Sequence, residues 1–305
     1  MHRDENNPVP FEPIEPSEPA RPVPLSAPSD APPPSQLEGP ALAQQPLPPA
    51  SQLPEDLRAP WDWMDLLVFV LVALFGTFLV SMVMVLVFAG FGVSLSQLRN
   101  SATEKSFFAI VNQALLSLGL LVYLAVQIRL RVRAPFWRTI GWRRLETQIP
   151  RGLAYLSFII GGFLLSMFVQ FSSGIVRPRG KLPIEAFFQD RRSALLLMLL
   201  SVLLAPVFEE TVFRGYIYPV IARSFGVTAS VVATGTLFGL LHAPQLWGGW
   251  EQIGLLVLVG IVFTYARAVT RTVVSSYILH VSYNSFLLVT FLVGSHWLRV
   301  LPPVR

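Results

Sequence analysis

Glu209 and Glu210 are adjacent carboxylates, followed by Arg214, inside a run from Ala194 to Val220 that is otherwise dominated by apolar residues. A charged side chain at membrane depth costs roughly 2.5–3.5 kcal/mol on insertion scales, so an intramembrane carboxylate pair marks a functional site by default. Two later apolar runs carry further polar groups. His242 follows Phe238 by four residues, and Asn284 follows His280 by four. A carboxylate and an imidazole in an apolar cavity can act as general base and acid on a water, while an imidazole and a carboxamide can donate to the oxyanion of a tetrahedral intermediate. Alternatively, Glu209, His242 and His280 could hold Zn²⁺ with an open position for water. Spacing does not choose between a zinc site and one that needs no cofactor. No HExxH helix signature or GxSxG elbow stands out, and the chain has no cysteine to act as nucleophile or thiolate ligand.

Helical geometry divides the work. Glu210 and Arg214 are four residues apart, about 40° around a helix, so the guanidinium can neutralise that carboxylate on one face. Glu209 lies about 100° from Glu210 and about 140° from Arg214, free to face a cavity. Glu209 is therefore the expected working carboxylate, with Glu210 and Arg214 as its electrostatic support and Phe238 as packing that fixes the His242 ring. A wholly structural ion pair is the competing reading, but two carboxylates against one cation leave a charge that needs a partner. Depth supplies one. Glu209 is 15 residues before the turn at Ser224 and His242 is 18 after it, so an antiparallel hairpin brings them to similar depth. His280 and Asn284 share a face near the middle of their own run.

These residues need helices to hold them. Of the 305 residues 53% are hydrophobic and only 13% charged, and several apolar runs exceed membrane-spanning length, so the expected fold is an all-α polytopic membrane helix bundle. About seven spans are expected (six to eight): 66–91, 107–128, 153–171, 194–221, 227–242, a short one at 253–266, and 273–291. The membrane domain then covers residues 60–295, with a catalytic core at about 190–290. Most of the 26 prolines fall in residues 1–58, which are poor in aromatic residues and read as a disordered Pro-rich tail, with a docking partner for the proline stretches as the minority reading. Trp61 and Trp63 read as interfacial anchors of the first span. Gly161-Gly162, and Gly235 with Gly239, predict close helix contacts. Pro206 predicts a distorted helix beside the carboxylates.

The net charge of +5 comes from arginines gathered in loops, which points to membrane orientation and anionic headgroups rather than to nucleic acid. The densest cluster runs from Arg129 to Arg151. By the positive-inside rule it is cytoplasmic, and so is the N-terminal tail. The connection 172–193 is also basic, against strict alternation.

The ordered set Glu209-Glu210-x-x-x-Arg214, Phe238-x-x-x-His242 and His280-x-x-x-Asn284, each in its own apolar helix, resembles the CAAX protease and bacteriocin-processing (CPBP, Abi) family of intramembrane endopeptidases. The likeness covers about residues 190–290. It implies that Glu209 and His242 activate water while His280 and Asn284 hold the oxyanion, in a family described both as metalloproteases and as glutamate-dependent proteases. Arg271-Thr272 stands where that family commonly has a small pair before the last histidine. The resulting expectation is a multi-pass protein of a bacterial cytoplasmic membrane that hydrolyses a peptide bond of a membrane-anchored peptide or protein. Two alternatives come from other classes: a non-catalytic scaffold of the bacteriocin-immunity type, and a proton or ion carrier, although no convincing inverted repeat is present.

Overall fold

The computed structural model describes residues 53–176 and 181–301, and these are helical with no strand among them. Residues 1–52, which carry most of the expected tail, lie outside the described residues. Six helices are long and apolar enough to cross a membrane, and a shorter apolar one joins them. In chain order the helices are α1 (Trp63–Gly90), α2 (Leu95–Asn100), α3 (Ala102–Val132), α4 (Phe136–Thr139) and α5 (Arg151–Ile175). They continue with α6 (Arg191–Phe225), α7 (Val227–Leu241), α8 (Trp250–Thr270) and α9 (Val273–Gly294).

Helix α1 starts at a capping box: the Asp62 carboxylate accepts from the N–H groups of Met64 and Asp65, while the Asp65 side chain accepts from the Asp62 N–H. The Asp65 N–H, seconded by that of Met64, holds the Asp62 carboxyl below its ordinary range. Its most apolar 18 residues have a mean hydropathy of 2.8, and only 6% of them are buried in protein. Apolar side chains facing outward along this length are matched to lipid.

Small residues set the packing of the inner helices. A Cβ on Gly235 would lie 2.5 Å from the Ile261 nitrogen, and one on Gly239 would lie 2.7 Å from the Val257 nitrogen, so α7 and α8 pack backbone to backbone as an antiparallel pair. A Cβ on Gly162 would lie 2.5 Å from the Leu279 carbonyl oxygen, which brings α5 against α9 at the turn that carries His280.

Two boundaries and the place of Trp61 differ from the sequence reading. Helix α8, expected to be short, spans 21 residues because Trp250, Glu251 and Gln252 begin it and Arg267 is drawn inside it. Residues 53–58, read as tail, are packed: Glu55–Leu57 form a 3-10 turn, Leu57 is buried, and Asp56 pairs with the buried Arg267. Trp61 is a core residue rather than an interfacial anchor, stacked 5.1 Å from Tyr216 and donating its indole N–H to the Tyr216 carbonyl. Trp63 remains half-exposed, as an anchor should be.

The entry to α9 is built from the pair that departs from the family pattern. Arg271 adopts φ 57°, left-handed backbone that a glycine would occupy without strain. Thr272 caps the helix, accepting from the Val274 N–H and donating to the Arg143 carbonyl.

Candidate active site

Helix α6 is not a regular α-helix. It holds two π segments, Leu200–Leu204 and Thr211–Ile217, on either side of the α-helical turn Ala205–Glu210 that presents both glutamates. The first has a local cause. In it the Ala205 N–H bonds to the Leu200 carbonyl five residues back, so the Ser201 carbonyl has lost its usual donor. Its donor in a continued π register would be residue 206, and Pro206 has no N–H. The side-chain amide of Asn284 fills that place, donating from Nδ2 to the Ser201 oxygen at 2.7 Å. Asn284 thus ties α9 to the distortion that precedes the glutamates.

Glu210 and Arg214 are both fully buried. Arg214 Nη1 donates to Glu210 Oε1 at 3.0 Å, Nη2 donates to the Gly260 carbonyl at 2.8 Å, and Nε donates to Thr264 Oγ1 at 3.2 Å. The guanidinium also lies over the Phe238 ring, 4.6 Å from its centroid. This cage offsets much of the desolvation penalty that a lone buried charge would carry. Sequence reasoning expected Glu210 and Arg214 to pair and missed Gly260 and Thr264, whose only signal was a small and a hydroxyl residue one turn apart in an apolar helix.

Glu210 does more than neutralise Arg214. Its Oε1 also lies 2.8 Å from His280 Nδ1, while Oε2 has no hydrogen-bond partner among the described residues. His280 is nearly buried and rests against Phe263, ring centroids 4.8 Å apart. Its other nitrogen, Nε2, faces Glu209 Oε2 at 3.7 Å. His242 is held by its own turn: Nδ1 lies 2.8 Å from the Phe238 carbonyl oxygen, the geometry of an Nδ1–H donor, so Nε2 points to Glu209 Oε1 at 4.0 Å. The Phe238 ring stands 4.8 Å from the His242 ring, so this residue fixes the imidazole through both its carbonyl and its ring.

Glu209, Phe238, His242, His280 and Asn284 line one cavity of about 700 Å³. Side chains from α3, α5, α6, α8 and α9 and the 3-10 turn Pro183–Phe188 complete it, most of them apolar. The expected depth match between Glu209 and His242 is realised, and His280 reaches the same carboxylate from α9. Two imidazoles approach different oxygens of Glu209, while Glu210 turns away to the Arg214 cage. Among the described residues, no group of three His, Cys, Asp or Glu side chains is gathered closely enough to hold a metal ion, so Glu209, His242 and His280 do not form a ligand set as they stand.

Residues 191–286, which contain all of these groups, match the family model described as Type II CAAX prenyl endopeptidase Rce1-like. Neither a curated protein nor a solved structure matches the chain. The match falls on the helices that the three motifs occupy, so residues 191–286 are similar to an Rce1-like CAAX endopeptidase domain, carried in a bundle of helices long and apolar enough to span a membrane.

Proposed function

We propose that the protein is an intramembrane endopeptidase that hydrolyses a peptide bond of a membrane-anchored peptide or protein, with Glu209 and His242 activating the water. The observation that carries this reading is the approach of His242 Nε2 and His280 Nε2 to the two oxygens of Glu209, at 4.0 and 3.7 Å, inside an apolar cavity. A separation of 4.0 Å between two acceptors is too long for a direct hydrogen bond and suits a bridging water that donates to both. Glu209 then takes a proton as the water oxygen attacks the scissile carbonyl, and the proton passes to the leaving amine. The apolar walls hold the reacting segment away from bulk water.

His280 and Asn284 are the oxyanion donors in this reading. Nδ1 of His280 is committed to Glu210, so Nε2–H is the group that would meet the oxyanion. One Nδ2 hydrogen of Asn284 is held by Ser201, leaving the other to donate. No step uses a metal. The arginine-rich segment 129–151 supports a cytoplasmic placement of that end of the bundle and of the N-terminal tail.

The test is a comparison of C-terminal peptides across the proteome in cells carrying wild type and Glu209→Gln. Loss of specific cleavages in the variant is the expected result; an unchanged set would replace the peptidase reading with that of a scaffold.

A further inference from the structure

A second cavity, of about 350 Å³, shares no lining residue with the first. It lies where the segment before α1, the loop after α3 and the last turns of α8 meet, so it sits at an end of the bundle. The half-exposed Trp63, at the start of α1, puts that end at the depth of a membrane–water interface. Its volume falls in the range of small-ligand pockets, roughly 300–1,000 Å³.

Its charge is one-sided. Arg58, Arg138, Arg143 and Arg267 line it against Glu55 and Asp56. Both acids are already answered: Arg143 Nη1 lies 2.9 Å from Glu55 Oε1, and Arg267 Nη1 lies 2.9 Å from Asp56 Oδ2. Among the described residues Arg138 makes no ion pair. Arg267 is only 1% exposed, so it forms the floor of the cavity through its pairing with Asp56. Planar guanidinium groups around a concave site suit the tetrahedral oxygens of a phosphate better than a point cation does. Basic pockets between membrane helices at the headgroup level are where phosphate headgroups bind.

We infer that this cavity binds a phosphate group, presented at headgroup depth by an anionic membrane lipid. Its walls include Gly215 and Pro219 of α6 as well as Glu55, Asp56 and Trp61, so an occupant would tie the segment before α1 to the helix that carries the glutamates. The inference does not depend on the peptidase reading, because it is read by binding alone.

The experiment uses the full chain purified into phosphatidylcholine nanodiscs containing a minority of phosphatidylglycerol, with bound lipid counted by native mass spectrometry. The variants are Arg138→Gln, which breaks no ion pair, and Arg144→Gln, an exposed arginine of the same loop that does not line the cavity. Losing one charged donor should weaken retention of the anionic lipid about tenfold in Arg138→Gln, while Arg144→Gln behaves as wild type. Inorganic phosphate is titrated in parallel. Displacement of the lipid by millimolar phosphate would show that the site takes the free anion as well; retention against it would assign the site to the lipid. Equal loss in both variants, or loss in neither, overturns the inference, since retention would then be general surface electrostatics. Thermal melts of both variants separate lost binding from lost fold.

Discussion

His280 Nδ1 lies 2.8 Å from Glu210 Oε1 across 70 residues of sequence, and the same carboxylate oxygen accepts from Arg214. Glu210 is therefore the hub that fixes a histidine and a cation, whereas Glu209 faces the cavity. Glu210→Gln leaves a buried guanidinium without its counter-charge and should destabilise the fold by about 3–5 kcal/mol. Glu209→Gln should change stability little and lower peptide hydrolysis by roughly 100-fold or more. Thermal melts with single-turnover cleavage of a membrane-anchored peptide measure both; an intact melt for Glu210→Gln and a collapsed one for Glu209→Gln would reverse the division of labour.

Asn284 and Pro206 should be energetically coupled. Asn284→Ala leaves the Ser201 carbonyl without a donor, a loss of about 1–3 kcal/mol. Pro206→Ala restores a backbone N–H five residues after Ser201 and should recover about 1 kcal/mol of that loss in the double variant. A double-mutant cycle by denaturation reads the coupling, and strictly additive effects would show that the missing proline N–H is not why Asn284 is needed there.

Gly162 should tolerate no side chain. Its Cβ would lie 2.5 Å from the Leu279 carbonyl oxygen, so Gly162→Ala should separate α5 from α9 at about 1–3 kcal/mol. Displacing the turn of His280 should also reduce turnover. Gly119→Ala, whose Cβ would meet nothing within 4 Å, is the control and should be neutral or stabilising by up to about 1 kcal/mol.

Arg271→Gly should raise the melting temperature. Left-handed backbone at a non-glycine residue costs of order 1 kcal/mol or more, which slightly exceeds the added chain entropy of glycine. The arginine is exposed, so no packed contact offsets the change. Activity should be unaffected, because Thr272 still caps α9.

Chelation should leave hydrolysis unchanged. Exhaustive dialysis against a strong zinc chelator, with metal analysis of the purified protein, checks it. Activity lost on chelation and recovered with Zn²⁺ would mean that Glu209, His242 and His280 close on a metal in the working enzyme.

Much of the site was legible because its residue types are expensive where they stand. Glu209, Glu210, His242 and His280 have no apolar reason to sit in apolar helices, so their spacing alone located the cavity. Trp61 was misplaced because an aromatic residue ahead of an apolar run has the same sequence signature whether it lies at the lipid interface or stacks on Tyr216. Residues 53–58 were read as tail because one buried leucine and one aspartate in a proline-rich stretch carry no periodic signal. The π segments were invisible beyond Pro206, since register within a helix depends on which neighbour fills an orphaned carbonyl.

The sequence by itself determined that this chain is a polytopic helix bundle with one charged, histidine-bearing centre, because hydropathy and the cost of buried charge are local properties of residues. Beyond the Glu210–Arg214 pair, which helical spacing already implied, tertiary structure decided what the polar groups touch. Glu210, Gly260 and Thr264 share Arg214, the Phe238 carbonyl sets the His242 ring, and Asn284 serves a broken turn of another helix. The partners of Arg214 on α8, of His280 on α6 and of Ser201 on α9 come from separate helices, and only close packing through small residues such as Gly162, Gly235 and Gly239 brings them within hydrogen-bond reach.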